Sequence, residues 1–69
     1  MSPLHDALLA AHKSGDKSAL VTLYSQAADT SDDVDAACFF LTHAYIFALE
    51  TNHPDTSALY QRLNAYGRV

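Results

Sequence analysis

An all-α fold of four antiparallel helices is what the sequence predicts, on three observations. Leu4, Ala7, Leu8 and Ala11 recur at i, i+3, i+4 and i+7, the spacing of one apolar helix face. The run from Ala36 to Leu49 contains no Gly, no Pro and no formal charge, so nothing in it breaks a helix or demands water. Gly15, Pro54 and Gly67 then stand where helices must stop or turn.

Helix one is expected over residues 3–14. Ser2 suits the N-cap, and Pro3 suits the first helical position, where its missing N–H costs nothing. Lys13 complements the dipole at the far end, and Gly15 supplies a left-handed stop. Asp16 follows at once as the next N-cap, so helices one and two are antiparallel neighbours. Leu20, Leu23, Tyr24 and Ala27 mark the buried face of helix two, over residues 17–28.

The acidic stretch from Asp29 to Asp35 lacks the turn glycine and the closing glutamate of a calcium loop. It reads instead as a helix N-terminus, with Thr30 and Asp33 as a capping box and carboxylates facing the dipole. Helix three is placed over residues 32–51, with Val34, Cys38, Leu41, Tyr45 and Ala48 as its core stripe. Pro54 is expected both to end helix three and to open helix four, whose apolar face is Leu59, Leu63 and Tyr66.

Sixty-nine residues make one domain near the lower limit of a self-sufficient core. An apolar content of 49% excludes disorder, while only 17% charged residues favours burial against a partner. A net charge of −4, with four scattered cations, argues against nucleic acid. The N-terminus lacks a signal-peptide pattern, and the apolar run is shorter than the ~20 residues of a membrane span. One cysteine cannot form an internal disulfide. A soluble, cytoplasmic protein is the expectation.

No catalytic constellation can be assembled from the sequence. Cys38 and His43 are five residues apart, about 140° around a helix, so they cannot share a proton or a metal from one face. His5 and His12 share a face but stand two turns apart, too far to grip one zinc ion. His53 reads as a turn residue beside Pro54, and Cys38 as a buried small hydrophobe. Tyr24, Tyr45, Tyr60 and Tyr66 suit packing positions at element edges. No enzyme activity, cofactor or metal is therefore expected.

An internal repeat underlies the helices. At a spacing of 34 residues Leu4 maps onto Cys38, Ala7 onto Leu41, Leu8 onto Thr42, Ala10 onto Ala44 and Ala11 onto Tyr45. With Gly15-Asp16 at the first turn, Tyr24 and Ala27 beyond it, and Leu41, Thr42, Tyr45 and Ala48 in the second unit, the chain resembles the tetratricopeptide-repeat family. It departs from that family at Leu8 and Leu20, where small residues are usual, and at Asp32, where a proline is usual. The second unit also carries extra residues before its turn. The resemblance implies two helical hairpins, and a plain four-helix bundle is the alternative.

It further implies that the outward faces of the hairpins' first helices hold a partner. Those faces are His5, Leu9, His12 and Lys13 in the first unit, and Phe39, Phe40, His43, Ile46 and Phe47 in the second. The expected function is a non-enzymatic protein–protein interaction module, binding a protein partner or itself. Because Phe40 and Phe47 share a face with Ala44, a two-fold homodimer through helix three is the simplest way to hide them. The alternative function is ligand binding in a pocket between helices lined by Phe, Tyr and His.

Overall fold

Gly15 carries the first turn, and its backbone shows why the residue is there. The computed structural model describes residues 3–69, so the Ser2 cap lies outside them. α1 spans Pro3–Ser14, and Gly15 follows at φ 68°, a left-handed conformation that costs a side-chain-bearing residue most. α2 spans Lys17–Asp29, with the Asp16 side chain accepting from the Ala19 N–H at 3.1 Å. α3 spans Val34–Thr51 and α4 Thr56–Ala65. No strand occurs among the described residues.

Two boundaries differ from expectation. Thr30 does not cap α3 in a box with Asp33. It closes α2 instead, donating its hydroxyl to the Gln26 carbonyl at 3.2 Å, and Asp33 alone caps α3 by accepting from the Ala36 N–H at 3.0 Å. Any of four consecutive polar residues could have capped here; α2 runs on to Asp29 and takes Thr30 as its own C-cap, which leaves the role to a later residue. Pro54 does not open α4. It lies in the turn, where the Thr56 hydroxyl and N–H both donate to the His53 carbonyl, and Asp55 stands at the N-cap without a side-chain cap bond. Asn52 ends α3 in the left-handed region at φ 51°, the role asparagine fills when glycine is absent. Gly67 closes the last turn at φ 72°, as expected.

Each helix packs on its neighbours in sequence: α1 on α2, α2 on α3 and α3 on α4, with α2–α3 by far the most extensive pairing. Lys17 at the start of α2 meets Glu50 at the end of α3 at 2.8 Å, which fixes those two helices as antiparallel. α1 and α4 do not pack together, so the described residues lack the closure of a four-helix bundle. Across the zigzag, α1 and α3 meet through His12 and Phe47, and α2 and α4 through the Arg62–Asp29 ion pair at 2.6 Å. The result is a slab of 31 × 28 × 12 Å.

The core is shared by α2, α3 and α4. Val21, Ala28, Ala37, Leu41, Ala44, Ala48, Leu59 and Leu63 form one buried cluster. Ala37, Ala44 and Ala48 let the neighbouring helices approach α3 closely, and Leu41, Leu63 and Val21 fill the space so created. Each such side chain contributes about 1.5–3 kcal/mol on burial. Two expected core positions lie elsewhere. Val34 is 50% exposed, because as the first residue of α3 it stands beyond the reach of Leu63 and Leu59. Tyr66 is exposed at the end of α4, past its last full turn.

Candidate interaction face

The buried arc of α3 faces both α2 and α4, and among the described residues its opposite arc is left about half exposed. Helical periodicity at 100° per residue puts Phe39, Thr42, Ile46 and Leu49 together on that arc. Phe39 is 58% exposed, Ile46 46% and Leu49 56%. A row of three large apolar side chains on one helix is costly to leave in water, since each forfeits part of its burial free energy. The Thr42 hydroxyl donates to the Cys38 carbonyl at 2.8 Å, so its polar group is already satisfied within the helix.

Beside this ridge lies a cluster of rings centred on Tyr24. Its ring stacks on His43 at 5.3 Å and on Phe47 at 6.0 Å, and meets Phe40 at 6.2 Å. The Tyr24 hydroxyl and His12 Nε2 are hydrogen-bonded at 2.9 Å, which ties α1 to α2. His12 also meets the Phe47 ring edge-on at 6.1 Å, and Phe39 contacts His43 at 4.5 Å. Phe40 and Phe47 are therefore half-buried, not outward-facing as the sequence suggested. α2 covers them with Tyr24, a residue that stands at the middle of the structure and not at an element edge.

The nine candidate residues thus divide. Phe39, Ile46 and Leu9 are exposed large apolar groups, and His5, His12 and Lys13 are exposed along α1. Phe40, His43 and Phe47 form the half-buried floor under Tyr24. Leu49 belongs to the ridge and was not among the candidates; its place three residues beyond Ile46 is the signal that marks it. The expected aromatic-lined pocket is not what the recess between α1 and α2 offers. That recess, about 580 Å³ and open to solvent, is lined by Pro3, Leu4, Ala7, Leu23, Gln26 and Thr30.

Cys38 is buried, 2% exposed, on the core side of α3. Among the described residues no three of His, Cys, Asp and Glu gather as metal ligands. Nor is any helix among the described residues long and apolar enough to cross a membrane. Asp35 accepts from Arg68 and holds that guanidinium above its ordinary pKa, so the C-terminal residues are fastened to the start of α3. Cys38→Ala is expected to cost on the order of 1 kcal/mol in urea-unfolding stability, the packing of one small side chain. The native thiol should label slowly with a maleimide. Labelling as fast as a free thiol would place Cys38 outside the core.

Compared with protein-family models, curated proteins and solved structures, the chain matches none.

Proposed function

We propose that the chain is a non-enzymatic helical protein–protein interaction module that pairs with itself through α3. The observation that carries this is the ridge of Phe39, Ile46 and Leu49, half-exposed in a row on a helix that is otherwise the centre of the core. The zigzag of sequence-adjacent helices supports the tetratricopeptide-like reading, in which such an outward helix face receives a partner. A single buried thiol and a net charge of −4 suit a cytoplasmic module that avoids nucleic acid. A second reading, capture of a small apolar ligand, rests on the open recess between α1 and α2.

The ridge offers roughly 300 Å² of apolar side chain, below the ~800 Å² per partner of a standard interface. Pairing is accordingly expected in the micromolar range and reversible. Sedimentation equilibrium over that range should report twice the 7.5 kDa chain mass. Phe39→Glu combined with Ile46→Glu should return it to one chain with the fold intact, because about half of each side chain is already in water and neither belongs to the buried cluster. A wild-type chain that stays single at every concentration tested would refute self-pairing.

A further inference from the structure

We infer that α1 is a releasable cover: it undocks as one unit while α2, α3 and α4 stay folded, and its release uncovers a second apolar face around Tyr24. The buried cluster that holds the fold contains no residue of α1 and is built by α2, α3 and α4 alone. α1 itself buries only Ala11, with Leu4, Ala7 and Leu8 left partly exposed. The three Lys and Arg ion pairs among the described residues bypass it as well. Lys17–Glu50 joins α2 to α3, Arg62–Asp29 joins α4 to α2, and Arg68–Asp35 holds the C-terminal residues to α3. The open recess runs between Leu4 and Ala7 on one side and Leu23 and Gln26 on the other, so solvent already reaches between the two helices.

Release of the whole helix follows from its length. A helix of 12 residues is marginal in water without a surface to pack on, so α1 loses its structure when it leaves α2. The connection at Gly15 adds no side packing to hold it, since nothing lies within 4 Å of where a Cβ would stand. On α2 the arc turned toward α1 carries Leu20, Leu23, Tyr24 and Ala27, about 100° round from Val21 and Ala28, which serve the core. Undocking uncovers that arc and takes His12 away from both Tyr24 and Phe47. The new face runs into the ridge without a break, because Tyr24 stacks on His43 and His43 meets Phe39. With α1 in place the exposed apolar face is the ridge; with α1 released it extends across α2. This holds whether or not the chain pairs with itself, because α1 is no part of the ridge.

Native-state amide exchange of the full chain in increasing urea tests the inference. The amides from Ala7 to Ser14, which bond four residues back within α1, should exchange together and about a hundredfold faster than those of Leu41 and Ala44. Their dependence on urea should be shallower, since undocking one helix exposes less surface than unfolding the chain. Amides of Leu23 and Ala27 should keep the slow exchange of α3. Equal rates and urea slopes in α1 and α3 would mean that α1 leaves only with the whole fold. Rates falling steadily from Ala7 to Ser14 would mean fraying of a chain end, and α2 amides opening together with α1 would make the first hairpin the unit. Any of these three results overturns the inference.

Discussion

Leu41→Ala is expected to remove about half of the chain's stability at 25 °C. Leu41 is fully buried at the centre of the α3 arc that faces both α2 and α4, in the cluster with Val21, Leu59 and Leu63. Truncating a buried leucine costs about 2–5 kcal/mol, the spread reflecting how far neighbours collapse into the cavity. Collapse is limited here, because Ala37, Ala44 and Ala48 already hold the helices close and have no longer side chains to swing inward. Against a total stability of roughly 3–10 kcal/mol for a chain of this length, such a loss removes about half of the margin. Urea unfolding followed by circular dichroism measures it, with Leu41→Met, which conserves volume, losing under about 1.5 kcal/mol. A loss below 1 kcal/mol for Leu41→Ala would show that α2 and α4 do not close on α3 as described.

The features legible in the sequence are those decided by a few adjacent residues. Gly15, Asp16 and Gly67 perform the turns and caps that their chemistry dictates. The start of α3 was harder to read, because Thr30, Ser31, Asp32 and Asp33 can all cap a helix. Where α2 stops is set by packing, and it leaves the role to Asp33. Pro54 illustrates the same point, since it lies in the turn and Asp55 separates it from the first residue of α4. The interaction face was half legible. Periodicity groups Phe40, Ala44 and Phe47 together but cannot say which helix will cover them. The answer lies with Tyr24, whose reach across α2–α3 is a tertiary fact. Phe39 and Ile46 were identified through the outward helix face that the repeat resemblance implies. Leu49 was missed because the outward face carried over from the repeat pattern ended at Phe47.

Tyr24→Ala should be nearly as damaging as the loss of Leu41, and by a different route. The Tyr24 ring contacts His12, Phe40, His43 and Phe47, so one side chain joins α1, α2 and α3. Truncating a large aromatic costs about 3–5 kcal/mol when fully buried, and this half-buried ring should fall near the lower figure. α1 will suffer first. Its one buried residue is Ala11, and its link to α3 is the His12–Phe47 contact that Tyr24 braces. Amide exchange across α1 should therefore speed up well before that of α3, while the uncovered Phe40 and Phe47 add apolar surface and strengthen self-association. Tyr24→Phe isolates the ring from its hydroxyl. It removes only an exposed hydrogen bond to His12, worth about 0.5–1.5 kcal/mol at most, and should keep α1 protected. If Tyr24→Phe opened α1 as much as Tyr24→Ala does, the hydrogen bond and not the stacked rings would be what holds the first hairpin to α3.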